Sequence, residues 1–168
     1  MKKLFAAAVL FLAFALIPAM PSRQNDGRDI IDTIMTVDQF DTFLELVREA
    51  DLTFTLKRAG PYTVFAPTND AFKKLPEGRL QGLLSNKKAL RRFLLSHVVY
   101  GRFAADQAVR QKSIKTLAGG TIKFENVQGH GLIGGTAHYA VTNVVTHNGL
   151  VQGIDTVLTP SLDTPDQP

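Results

Sequence analysis

Apolar positions in this chain follow two different periods. Between residues 29 and 98 they recur every three or four positions, and from residue 113 onward they fall in short runs separated by glycines. The first spacing is that of helices, and the second is that of short strands. Ile30, Ile31 and Ile34 predict a short helix over 29–35. Phe40, Phe43, Leu44, Val47 and Ala50 predict a second, with Glu45, Arg48 and Glu49 off its apolar stripe. Thr36-Val37-Asp38-Gln39 fits a capping box at its start, the Thr hydroxyl and the Gln side chain satisfying free N–H groups reciprocally. Residues 52–56 are compatible with strand or helix and lead to a turn at Ala59-Gly60-Pro61. The stretch 76–84 predicts a helix with Leu80, Leu83 and Leu84 on one side, and Ser85 is a candidate N-cap for the next. There Leu90, Phe93, Leu94 and His97 follow at helical spacing. Residues 98–100 predict a strand broken by Gly101, and 104–110 one or two helical turns.

The second half predicts strands at 114–117, 121–127, 136–141, 144–146 and 150–158. Gly119-Gly120, Gly129-His130-Gly131, Gly134-Gly135 and Asn148-Gly149 lie between them as turns. Asn148-Gly149 is a strong hairpin signal, because both residues tolerate positive φ in a two-residue turn. Helices first and strands after imply an α+β domain rather than a repeating βαβ fold.

One stretch joins the two halves. In Tyr62-Thr63-Val64-Phe65-Ala66, alternate residues face opposite sides of a strand. Pro67 has no N–H and is expected to end the ladder. Thr68 is a good N-cap, Asp70 falls in the first helical turn, and Phe72 and Leu75 turn inward together. The run Thr63 to Phe72 resembles the first signature block of the fasciclin domain family, "T-V-F-A-P-T-[ND]-[DE]-A-F". The run from Asn148 to Pro160 resembles that family's closing block, "N-G-[VL]-[IV]-H-x-I-D-x-V-L-x-P", and residues 94–100 resemble its central Tyr-His region. Ser96 stands where the family often has the Tyr of that pair, and Gln152 where it usually has His. The resemblance covers roughly residues 29–160. It favours a helix at 52–56 and implies the fasciclin-like fold, a β-sheet wedge or sandwich carrying a layer of short α-helices. It also implies a non-catalytic binding module for cell-surface or matrix adhesion or protein–protein interaction. The alternative on the same fold is a carrier of an apolar, carotenoid-like small molecule, in a groove that Phe40, Phe43, Phe65, Phe72 and Phe93 could line.

Composition narrows this further. Lys2 and Lys3 precede an uncharged apolar run of fourteen residues over 4–17, which is short for a membrane span of roughly 20 residues. Small residues follow at Ala15 and Ala19, so residues 1–20 are expected to be a secretory signal peptide. Residues 21–28 then form a flexible leader, 29–160 the domain and 161–168 a polar, proline-containing tail. The expected location is secreted or periplasmic, with membrane contact only through the transient signal peptide. There is no cysteine, hence no disulfide framework and no thiol nucleophile. Without Lys2 and Lys3, seventeen basic residues face fifteen acidic ones, a net of +2. The basic residues are dispersed except for Lys87-Lys88 and Arg91-Arg92, expected to form a solvated helix face. No basic stripe with interleaved aromatics marks a nucleic-acid partner.

No nucleophile elbow, phosphate-binding loop or His-x-x-x-His pair occurs, so no enzyme, metal or cofactor is expected. The expected partner is a macromolecular surface or matrix ligand, and the expected state is a monomer. The candidate interaction residues are Asn69, Asp70, His97 and Asp155. Each also has a structural reading: capping for Asn69 and Asp70, backbone hydrogen bonding for His97 at its helix end, and the same for Asp155 at a strand end.

Overall fold

The computed structural model describes residues 27–159, apart from residues 59, 128 and 129. The expected signal peptide, most of the leader and the tail lie outside the described residues. Helices α1 (Ile30–Ile34), α2 (Asp41–Glu49) and α3 (Thr53–Arg58) lead into strand β1 (Tyr62–Pro67). Helices α4 (Asn69–Lys73), α5 (Arg79–Leu84) and α6 (Lys87–Leu95) follow, then β2 (Val98–Tyr100) and α7 (Ala105–Gln111). The chain finishes in β3 (Ser113–Lys115), β4 (Thr121–Val127), β5 (His130–Ile133), β6 (Ala137–Thr146) and β7 (Gly149–Ile154). The class is α+β, and the ambiguous stretch at 52–56 resolves to helix from Thr53 onward.

The strands form one sheet in the order β2-β1-β7-β6-β5-β4-β3. Only β1 and β7 run parallel, from Tyr62 opposite Gly149 to Pro67 opposite Ile154. The sheet curls until its ends meet. Val99 of β2 bridges to Thr116 beyond β3, and the Leu117 N–H donates to the Val98 carbonyl at 2.8 Å. A curled sheet has an outer and an inner face, and each carries its own core. Tyr62, Val64, Ala66, Val98 and Val151 pack outward against Phe40, Phe43, Val47, Leu90 and Leu94 of the helical layer. Phe65, Val99 and Ile154 point inward with Ile122, Phe124 and Ile133. The alternation read in β1 therefore sorts its side chains between two cores.

Two glycines let layers approach each other. A Cβ on Gly149 would lie 2.0 Å from the Tyr62 carbonyl oxygen, and one on Gly153 would lie 2.9 Å from the Phe40 ring. The Asn148-Gly149 hairpin forms, but its two loop residues are His147 and Asn148, and neither Asn148 nor Gly149 has positive φ. Gly149 is already a strand residue, and the close backbone of β1 is the reason it lacks a side chain.

Several local expectations are corrected. The Thr36 hydroxyl donates back to the Thr33 carbonyl at 2.8 Å and caps nothing, so the capping box is absent. Asn86, not Ser85, caps α6, accepting from the Ala89 N–H at 3.0 Å. Leu84 turns outward and is 47% exposed. Pro67 is, as expected, the last residue of β1, paired with Ile154, and the Thr68 N–H then donates to the Ile154 carbonyl at 3.0 Å. His130 lies in β5, opposite Val127, and not in a turn. The expected strands 136–141 and 144–146 are one strand, β6, with irregular register around Asn143.

Candidate functional site

His97 sits between the end of α6 and the start of β2 and is 0% exposed. Its Nδ1 lies 3.0 Å from the Phe93 carbonyl oxygen, which can only accept, so Nδ1 carries the proton. Its Nε2 accepts the Leu158 N–H at 3.1 Å and is therefore unprotonated. Burial pushes the pKa of His97 down to about 4, against the opposing pull of the Phe93 carbonyl. The ring is therefore neutral at ordinary pH and acts at the helix end through hydrogen bonds rather than through charge. Ser96 is also buried, and its hydroxyl donates to the same Phe93 carbonyl.

Gln152 is another buried polar side chain, at 0% exposure. Its Oε1 accepts the Asn143 N–H at 2.8 Å, and its Nε2 donates to the Phe103 carbonyl at 3.0 Å and to Asn143 Oδ1 at 2.9 Å. Asn143 occupies the irregular point of β6 with φ of 55° and also accepts the Ala105 N–H at 3.0 Å. It thereby caps α7, whose Ala104 has no side-chain acceptor of its own.

Asn148 is a node that its reading as a turn residue did not reveal. Its Oδ1 accepts the Ile30 N–H at 2.9 Å. Its Nδ2 donates to the carbonyls of Leu56 at 2.6 Å and Lys57 at 3.2 Å. Its backbone carbonyl accepts the Tyr62 N–H at 3.1 Å. One residue thus fixes the start of α1 and the end of α3 through its side chain and the entry to β1 through its backbone. The missed signal is the pairing of a short amide with an apolar strand end.

The four residues nominated from the sequence are not one site. His97 is internal. Asn69 is half-buried, accepting the Thr42 N–H at 3.0 Å and donating to the Asp38 carbonyl at 2.8 Å, so it caps α2 from a distance. Asp70 and Asp155 do share a surface, because the β1–β7 pairing carries α4 to the end of β7. Asp70 is exposed and 2.8 Å from Lys73, whose hydrogen bond holds its carboxyl below the usual range. Asp155 accepts the His138 N–H at 2.8 Å. Its burial opposes ionisation, yet that N–H, the Thr156 hydroxyl and the Lys74 and His138 charges together lower its pKa. Lys74 bridges the two acids, adding to the field on Asp70 and donating to the Asp155 carbonyl at 2.7 Å.

Phe40, Phe43, Phe65 and Phe72 are 0–6% exposed and packed in the cores. Phe93 borders a cleft between α5 and α6. Among the described residues, no cluster of three or more His and acidic side chains converges as metal ligands would. Among them also, no helix is long and apolar enough to cross a membrane.

A fasciclin domain model matches residues 38–160. An uncharacterized Synechocystis protein is 32% identical over 130 residues, covering 77% of this chain and 96% of its own. A second Synechocystis protein is 36% identical over 140 residues, covering 82% of this chain and 77% of its own. Among solved structures, a FAS1 domain pair from the insect cell adhesion molecule fasciclin I matches with a TM-score of 0.57 at 19% identity. That match covers 72% of this chain and 45% of the insect chain, and it shows the fold.

Proposed function

The chain belongs to the fasciclin domain family, and from that membership we propose that it is an exported, non-catalytic binding module that attaches a cell-surface or matrix partner. The observation that carries this reading is the mixed-charge surface at the shared end of β1 and β7. Asp70 with Lys73, and Asp155 with Lys74 and His138, stand there side by side on rigid elements. The polar side chains inside the domain hold backbone together, which supports a scaffold that presents a surface rather than a reaction centre. The insect chain of similar fold is described as a cell adhesion molecule, which points the same way.

Asp70 is the contact residue of this reading, since its side chain is 80% exposed and its ion pair is local. The test is retention of protein-coated beads on cells of the producing organism under flow. Beads carrying the unaltered protein are expected to be retained, and beads carrying Asp70→Lys to be lost several-fold more readily at an unchanged unfolding temperature. No retention of the unaltered protein above bare beads overturns the reading.

A further inference from the structure

The basic pairs of α6 do not form one solvated face. Lys87 pairs with Asp51, and Arg91 Nη1 donates to the carbonyls of Ala50 at 3.1 Å and Asp51 at 3.3 Å. Lys88 and Arg92 turn instead to the cleft between α5 and α6, where Arg79 meets them from the other wall. Among the described residues, none of these three cations lies within ion-pair distance of a carboxylate, and no acidic residue lines the cleft.

The floor is apolar. Leu83 and Leu158 are buried there, and Phe93 is half-buried, while the three cations are exposed at the rim. The volume is 650 Å³, inside the range of roughly 300–1,000 Å³ typical of small-molecule sites. Ser96 lines the base, where its side chain is small and almost wholly buried. Two helices wall the cleft, and their backbone groups bond internally, so an extended peptide finds no strand edge. An apolar floor under three cations that have no carboxylate partner among the described residues matches an occupant with an apolar body and one anionic end.

We propose that the α5–α6 cleft binds a single-chain anionic amphiphile, its tail against Leu83, Phe93 and Leu158 and its carboxylate between Arg79, Lys88 and Arg92. This stands apart from attachment through the Asp70 surface, so either can fail without the other.

Gly82 supplies a clean test. It lines the cleft, and a Cβ built on it meets nothing within 4 Å. Gly82→Leu therefore adds apolar bulk at the cleft wall with no clash at its Cβ, and removing a helix glycine favours stability. The experiment is calorimetric titration of the protein with dodecanoate below its micelle-forming concentration, with dodecanol as the uncharged control. Saturable one-to-one binding of dodecanoate is expected. Gly82→Leu is expected to weaken it at least about tenfold at an equal or higher unfolding temperature. Lys88→Gln with Arg92→Gln is expected to weaken dodecanoate by roughly tenfold and leave dodecanol unchanged. Absence of saturable binding, or unaltered binding by Gly82→Leu, overturns the proposal. So does capture of an Asp-rich peptide in place of dodecanoate. A tenfold gain on removing residues 160–168, which carry Asp163 and Asp166, would assign the cleft to the chain's own end and also overturn it.

Discussion

The Nε2 atom of His97 accepts the backbone N–H of Leu158 at 3.1 Å, across 61 positions of chain. The contact ties the end of the helical half to the last described segment of the β half. Because the opposite nitrogen donates to the Phe93 carbonyl, both ring positions are committed, and the ring has no edge free for an outside partner.

Acid should loosen this tie. The folded pKa of about 4 lies below the ordinary 6.5, so the stability tied to neutral His97 is complete above pH 6.5. It falls away as pH drops through the window down to about 4. Between pH 7 and pH 5 the loss is about 2 kcal/mol by linkage. The lowered acids Asp32, Asp70 and Asp155 titrate later, below the usual carboxylate value. Urea unfolding at pH 7 and pH 5 measures the difference, and His97→Gln is expected to flatten it. An equal slope in that variant would assign the acid sensitivity elsewhere.

Gln152 makes three hydrogen bonds from a fully buried position. A neutral histidine offers one donor and one acceptor, so Gln152→His restores the residue usual in the family yet leaves at least one of Asn143 and Phe103 unpaired. The expected cost is about 1–3 kcal/mol at pH 7, with added acid sensitivity from a second buried imidazole. Denaturation midpoints at two pH values check both parts. A variant as stable as the parent would show that the Asn143 irregularity adapts to either side chain.

Asn148 is isosteric with aspartate, which makes the comparison informative. Asn148→Asp keeps the acceptor for the Ile30 N–H but loses the donors to Leu56 and Lys57 and places a charge near both carbonyls. Asn148→Ala loses these three bonds and the acceptor of the Thr146 hydroxyl. Both are expected to cost about 1–3 kcal/mol, since two part-buried carbonyls lose their partner in each case. A near-neutral Asn148→Asp in thermal unfolding would show that the α3 carbonyls are satisfied without Nδ2.

Periodic features were legible in the sequence because one residue's neighbours along the chain determine them. The stripe Phe40, Phe43, Leu44 and Val47, the alternation of β1, and the Thr68 cap all follow from local spacing. The signature blocks carried the fold beyond what periodicity could. Closure of the sheet by Val99 and Thr116 was not legible, since a single bridge between distant segments leaves no pattern. Strand β5 was hidden because its paired residues, His130 and Gly131, read locally as turn formers. For the candidate residues the sequence carried the kind of bond but not the partner. The backbone bond of His97 at its helix end was read, whereas the Leu158 N–H it also serves, and the Thr42 N–H and Asp38 carbonyl that Asn69 serves, are distant in the chain and leave no local pattern.

Three glycines separate backbone approach from open space, and their alanine variants should order accordingly. Gly149→Ala sets a methyl group against the Tyr62 carbonyl, which is backbone held in the β1–β7 ladder and cannot swing away. Gly153→Ala meets the edge of the Phe40 ring and the Val141 side chain, which can shift at the expense of core packing. The expected cost of Gly153→Ala is about 1–3 kcal/mol, and that of Gly149→Ala is larger because β1 and β7 must separate. Gly82→Ala meets nothing and is expected to gain about 0.5–1 kcal/mol, because alanine restricts the unfolded chain and suits a helix. Unfolding free energies of the three variants test the order directly. If Gly149→Ala proved milder than Gly153→Ala, the parallel pairing of Tyr62 with Gly149 would be looser than the register requires, and the entry to β1 would be held by Asn148 alone.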